Sequence, residues 1–227
     1  MASSATGAPC PGEAVSFCDV SFCDVAGPLP GLPWLVLREA GLFVAAQDVL
    51  VEVVGRIRPE HRHIVVPPQF DAPADAAPVP LPVLVERLAR DDARLPDLLA
   101  GRDPGDPPAD APAPDPRRCA AAARAAVLRV DDPDVVVPGH GDVGEFLLRG
   151  AIWRTFSAHD IAMHLGSRAC PLTEEQARGL WEATQPAAAR WRERGVFRAP
   201  LEPVPADVSW RDRFLMSAGR DPHPLVH

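Results

Sequence analysis

Apolar positions along the chain recur at helical rather than strand spacing, and proline decides where that pattern runs unbroken. A proline inside a helix costs about 3 kcal/mol. The windows 34–58, 83–95, 117–132 and 139–170 contain none. In the first, Leu35, Leu42, Ala46, Val49 and Val53 share one face while Arg38, Asp48 and Glu52 lie off it, which predicts a helix over Trp34–Arg58. The second predicts a helix over Val83–Arg94, interrupted at Pro96 and closed by Gly101. Asp115 and Pro116 supply the N-cap and first turn of a third helix through Arg129. Asp142 with Glu145 has the spacing of a capping box for a fourth helix to about Gly166. Thr173 with Gln176 opens a fifth, which Pro186 must kink or split.

The segments between are poor in regular signals. Arg102–Pro114, rich in Pro, Asp, Ala and Gly, predicts a loop or linker. Pro200–His227 carries five prolines and predicts an extended tail packed over the helices. Ile64–Val66 is the best strand fragment and is short. The repeat SFCDV at 16–20 and 21–25 is two copies of five residues, too few for a solenoid, and predicts a mobile segment at 1–30. The expected architecture is mainly α: an antiparallel four-helix bundle with an additional C-terminal helix and tail, residues 31–227 forming a single domain.

Length and charge narrow the function classes. The 227 residues suffice for a sizeable core, and the net charge is -8. All 23 basic residues are arginine, with no basic tract, which argues against nucleic acid as a partner. The most apolar run, Gly41–Gly55, is broken by Gln47, Asp48 and Glu52, so no transmembrane helix is expected. The first residues lack the pattern of a secretory signal. The odd set Cys10, Cys18, Cys23, Cys119 and Cys170 fits reduced thiols, and with them a cytoplasmic location. Exposed helix faces leave a homodimer open.

Several residue groups could carry chemistry. His61 and His63 could share a metal but have no third ligand in view. His140, between two glycines, could line a pocket mouth, while Asp142 and Glu145 are accounted for by capping. On the fourth helix Trp153, Ser157, Asp160 and His164 fall along one broad face, extended by Phe146 and Gly150, whereas His159 points elsewhere and is read as a packing residue. Polar groups on an inward face must be paired or must line a cavity. Two readings stay open: a ligand-facing stripe, or a partly exposed helix with Asp160 paired to a buried arginine. The second helix sets Arg87, Arg90, Asp91 and Arg94 at helical spacing, as a solvated ion-paired face or as a means of holding a carboxylate or enolate.

Three stretches carry a family resemblance: Leu81–Gly101, Arg154–Gly166, and a C-terminal set made of Gly195–Phe197, Val204–Val208, Asp212–Leu215 and Gly219–Pro222. Together they resemble the actinobacterial branch of the DinB-like superfamily that includes the mycothiol-dependent maleylpyruvate isomerase metal-binding domain. The resemblance implies a bundle with a central pocket holding a divalent metal, bound by a histidine of the second helix and a Glu/His–His pair of the fourth, which activates a low-molecular-weight thiol. Here Arg87 stands where that histidine belongs, and Trp153 and Ser157 where the pair belongs. A guanidinium cannot coordinate a cation.

The expectation is therefore a metal-independent enzyme of isomerase, cyclase or lyase type, without a cofactor, acting on a small molecule. Arg87 would replace the metal's charge, Asp160 or His164 would move a proton, and Trp153, Ser157, Asp91 and His140 would bind substrate. Two alternatives are a metal- and mycothiol-dependent transferase or isomerase with displaced ligands, and a non-catalytic metabolite-binding protein.

Overall fold

The computed structural model describes residues 37–67, 77–105, 108, 111–166, 171–195, 197–205 and 207–223. The chain separates into Met1–Pro33 and Trp34–His227. The duplicated SFCDV segment, Leu35, Cys10, Cys18, Cys23 and Cys170 lie outside the described residues.

The protein is mainly helical. The helices are α1 (Arg38–Gly55), α2 (Leu81–Leu99), α3 (Pro116–Val127), α4 (Val143–His164), α5 (Glu174–Thr184), α6 (Ala188–Glu193) and α7 (Trp210–Ser217). Among the described residues, two antiparallel ribbons of two-residue strands feed the helices. β1 (Val65–Val66) pairs with β2 (Val79–Pro80), which runs straight into α2. β3 (Val136–Val137) pairs with β4 (Gly141–Asp142), which runs straight into α4.

The capping chemistry explains where most helices start. Asp115 accepts from the Arg118 amide at 2.9 Å, and Pro116 occupies the first turn, where a missing N–H costs nothing. Thr173 and Gln176 form the full reciprocal box that opens α5. Pro186 splits that helix through a single 3-10 turn, Gln185–Ala187, before α6. Asp142 caps α4 through the Glu145 amide at 2.8 Å, but the Glu145 carboxylate pairs with Arg190 and Arg194 of the α6 region instead of closing a box.

Two expectations are corrected. α2 does not stop at Pro96: it continues to Leu99 with the proline inside, and ends in a Schellman turn. There the Arg102 amide donates to Asp97 O and the Gly101 amide to Leu98 O. A proline three residues before a helix end removes one backbone bond, and burial of Leu95 and Leu98 offsets the loss. The C-terminal tail is not wholly extended either. Ser209 accepts from the Asp212 amide and starts α7, a cap-and-acid pattern short enough to hide among prolines.

α1 packs chiefly on α4 and also on α3, α2 packs on α3, and α5 packs on α7. Glu39 lies beside Gly144, Phe43 beside Gly150, and Gln47 against Arg154, in the same order along both helices. α1 and α4 therefore run parallel, which departs from a uniformly antiparallel arrangement. α1 and α3 run oppositely, since Asp48 meets Arg124 and Gly55 lies beside Arg117. One of the two connections between α1 and α3 must then carry the chain along the helices without reversing it.

The core is built from Phe43, Leu50 and Val53 of α1, Leu81, Leu84 and Leu88 of α2, and Leu147, Ile152, Phe156 and Ile161 of α4. Each such side chain contributes about 1.5–3 kcal/mol on burial. Phe156 stacks on Phe214 at 5.6 Å and meets Phe197 at 5.9 Å, which fixes α7 and the segment before it against α4. Gly150 lets α4 lie directly against the Phe43 ring of α1. A Cβ there would stand 2.8 Å from the Phe43 ring and 3.3 Å from Arg154 Nη1. Gly150→Ala is therefore expected to lower stability by about 1–3 kcal/mol despite alanine's better helix propensity, as read by urea unfolding.

Candidate functional site

The centre of the helical core holds a cation. Arg154, on α4, is 4% exposed, and it is matched by Asp92 of α2 (4%) and Gln47 of α1 (2%). Arg154 Nη2 donates to Asp92 Oδ1, Arg154 Nε donates to Gln47 Oε1, and Gln47 Nε2 donates to Asp92 Oδ2 at 3.0 Å. The three side chains close a ring of hydrogen bonds. Arg154 Nη1 also donates to Gly150 O at 3.1 Å, and the guanidinium carbon lies 4.0 Å over the Phe43 ring. Burial lowers the Arg154 pKa, and the Asp92 carboxylate opposes that shift. A buried charge needs such pairing, because desolvating it alone costs several kcal/mol.

Beside this network lies a cavity of about 460 Å³ between α1, α2, α4 and the β3–β4 turn. α2 supplies Arg87, Asp91, Arg94 and Leu98, spaced three and four apart on one face. α4 supplies Phe146, Arg149, Gly150, Trp153 and Arg154. Arg87, Asp91, Arg149 and His140 are exposed at its rim, while Arg94 is half-buried and Arg154 is deep. Four guanidiniums thus border the cavity, and the Asp92 carboxylate beside Arg154 is already committed to it. Among the described residues Asp91 is left as the acidic group facing the open space, with apolar surface from Phe43, Phe146 and Trp153.

Two titrations follow from this setting. The Asp91 pKa is raised, first by desolvation and also by the neighbouring Asp92, with Arg154, Arg94 and Arg87 opposing. The His140 pKa is lowered, first by desolvation and then by Arg149 and Arg94. Its ring sits 5.0 Å from that of Phe146 at a tilt of 41°. Near neutral pH the imidazole is therefore held neutral and the carboxylate is made a better base.

The sequence expectations divide here. Arg87, Asp91, Trp153 and His140 converge on the cavity. Ser157 is fully buried behind it and does not line it. Asp160 and His164 do not join the cavity. At 1.5 Å per residue, His164 lies about 16 Å along α4 from Trp153, so a shared face does not make a shared site. Asp160 pairs with Arg220 Nη2 at 3.4 Å, and Arg220 is a buried side chain from the segment after α7. His164 is exposed and its Nδ1 contacts its own Asp160 carbonyl at 2.7 Å. For the end of α4, the reading in which Asp160 meets a buried arginine describes the structure. His61 accepts from the Arg58 amide and caps the 3-10 turn Pro59–His63.

The cation at the centre is Arg154, while Arg87 sits at the rim. Sequence reasoning placed the central charge on Arg87 and missed Arg154, Asp92 and Gln47. The available signal was Gln47, a polar residue one turn from Phe43 and Leu50 on the buried side of α1.

The residues at this centre do not fit the divalent metal that the family resemblance implies. Arg154 and Arg94 only donate, and Asp92 is already bound to Arg154 and Gln47. Among the described residues, no three His, Cys, Asp or Glu side chains come together to hold an ion. No helix among them is long and apolar enough to cross a membrane. Comparison with protein-family models, with curated proteins and with solved structures finds no match.

Proposed function

We propose that this protein binds a small organic anion in the α2–α4 cavity and acts on it as a metal-independent enzyme of isomerase, cyclase or lyase type. The observation that carries this reading is the imbalance of charge around one partly apolar space: Arg87, Arg94, Arg149 and Arg154 against Asp91, with Asp92 neutralising part of Arg154. In such a space a carboxylate or enolate oxygen gains charge-assisted hydrogen bonds, and the aromatic wall takes up a conjugated body. Asp91 is the group placed to take a proton from a carbon next to a carbonyl and to return it at the neighbouring atom. Arg87 and Arg94 would hold the enolate oxygen meanwhile. In this reading the helical core is a DinB-like bundle in which Arg87 and Trp153, at positions where the resemblance puts metal ligands, border the cavity. The chain motifs at Leu81–Gly101 and Gly219–Pro222 support that assignment.

A second reading has one observation of its own. Arg87, Arg149 and His140 are exposed, so the cavity opens to water, which suits a metabolite-binding protein that converts nothing.

The test is calorimetric titration with benzoate and with its neutral isostere benzamide. Benzoate is expected to bind and benzamide to bind far more weakly. Arg94→Ala and Arg149→Ala are each expected to weaken benzoate about tenfold, the equivalent of 1.4 kcal/mol. Equal binding of the two compounds would remove the anion from the proposal. Incubation with a panel of small unsaturated and keto acids, followed by product analysis, separates the two readings. Conversion that Asp91→Asn abolishes supports the enzyme, and tight binding without conversion supports the binding protein.

A further inference from the structure

The buried Arg154–Asp92–Gln47 network has two sides, and the anion cavity occupies one of them. Arg154 borders that cavity, whereas Gln47 and Asp92 border a second space of about 400 Å³ between α1, α2 and the start of α3. The second space has different walls. Leu50, Val54, Val85, Leu88 and Ala89 line it, the polar pair Gln47 and Asp92 stands at its floor, and the exposed Asp115 and Arg117 at the start of α3 border it. Both polar side chains are almost entirely buried, at 2% and 4% exposure.

The hydrogen-bonding capacity of that floor is not exhausted. Asp92 Oδ1 accepts from Arg154 and Oδ2 accepts from Gln47. Each carboxylate oxygen can accept two bonds. The carboxylate, itself almost entirely buried, therefore retains acceptor sites beside aliphatic surface. A negative ligand is disfavoured at that floor, because it would meet the Asp92 carboxylate, whereas the Arg117 guanidinium in the wall is exposed and is accompanied there by Asp115. A neutral, largely apolar molecule that carries one N–H or O–H satisfies both halves of the site. Its body takes the aliphatic walls and its donor takes Asp92. The volume falls within the range of sites for small organic ligands.

We propose that the space between α1, α2 and α3 is a second small-molecule site, for a neutral apolar compound with a single hydrogen-bond donor, and that it shares its floor with the anion cavity. The anion site and this one would then be occupied independently in space and joined through Asp92.

N-phenyl-1-naphthylamine is the appropriate probe. It is neutral, it has an aromatic body and one N–H, and its emission rises in apolar surroundings. Titrated into the full chain, it is expected to bind saturably with one site. Val85→Trp, which places bulk at a half-buried wall position, is expected to weaken the probe at least tenfold while benzoate binding stays unchanged. If Val85→Trp fails to fold, Val51→Trp on the opposite, more exposed wall gives the same reading. N-methyl-N-phenyl-1-naphthylamine lacks the donor and is expected to bind at least fivefold more weakly. Absence of saturable binding to the full chain, or binding that both tryptophan variants leave untouched, would overturn the proposal. Equal affinity for the methylated probe would remove Asp92 from it. Competition between the probe and benzoate would place the probe in the anion cavity and would also overturn it.

Discussion

Replacing Arg154 with methionine is expected to destabilise the protein by about 3–5 kcal/mol, because it leaves the Asp92 carboxylate buried without its cation. For a domain of this size that corresponds to a fall in Tm on the order of 10 °C. The loss comes from the stranded charge more than from the missing contact. Gln47 Nε2 would still donate to Asp92, but one neutral donor does not replace a guanidinium. Removing the whole network gives the opposite expectation. A triple variant, Gln47→Leu with Asp92→Leu and Arg154→Met, deletes every member together and is expected to recover most of the stability lost by the single change. Its benzoate binding should remain impaired, since the deep cation of the anion cavity is gone. Thermal melts and calorimetry on the three proteins separate these effects. A single-variant loss below about 1 kcal/mol is the range of exposed pairs, and it would mean that the pair is not desolvated in solution.

The distinction between Arg154 and Arg87 shows what the sequence could and could not reveal. Helix starts were legible because capping is local: Asp115, Asp142 and Thr173 each accept from the amide three residues on. The split at Pro186 was legible for the same reason. The cavity face of α2 was also legible, since Arg87, Asp91 and Arg94 follow helical spacing over a helix with a clear apolar side. α4 resists that treatment. Leu147, Ile152, Arg154, Phe156, His159 and Ile161 are all buried, so the helix has core on nearly every side and periodicity no longer separates inside from outside. Neighbours such as Trp153 and Arg154, or Asp91 and Asp92, then differ by 100° of rotation, and only the packing partners decide which one is central. The mistaken placement of Asp160 and His164 has a related cause. A helical face specifies direction around the axis and says nothing of position along it, and the segment that covers the far end of α4 lies some 60 residues away in sequence.

That far end carries the second large effect, a loss of stability in mild acid. His159 is buried, and its Nε2 contacts Asp221 O at 3.2 Å. A carbonyl only accepts, so the ring proton sits on Nε2. Nδ1 is then a bare nitrogen, buried without a partner among the described residues. The charged groups around it are Asp160 on its own helix, Arg211 on α7 and Arg220 beside Asp221. Desolvation is the largest influence and lowers the His159 pKa below 6.5. Asp160 and the hydrogen bond to Asp221 O oppose it, and Arg220 and Arg211 reinforce it. With the folded pKa below the unfolded one, the unfolded chain binds more protons in the interval between them. Stability is therefore full above about pH 6.5 and declines as pH falls toward the folded value. His140 shifts in the same direction. Asp91 acts oppositely: its raised pKa lets the folded state bind the extra proton at lower pH, which moderates the decline there. Urea unfolding at pH 7.5 and at pH 5.5 is expected to show lower stability at the acidic value. His159→Gln keeps a donor for Asp221 O but does not titrate, so it should remove most of that difference, at some cost in stability at pH 7.5. The segment after Gly219 is the part His159 holds, and Gly219 itself leaves no room for a side chain, with Ala199 O and Arg198 Cβ each 2.5 Å from where a Cβ would stand. Protonation should thus loosen the segment Arg220–His223 first, raising its amide hydrogen exchange at pH 5.5 before the core melts. A pH difference that persists unchanged in His159→Gln would assign the acid sensitivity to other groups.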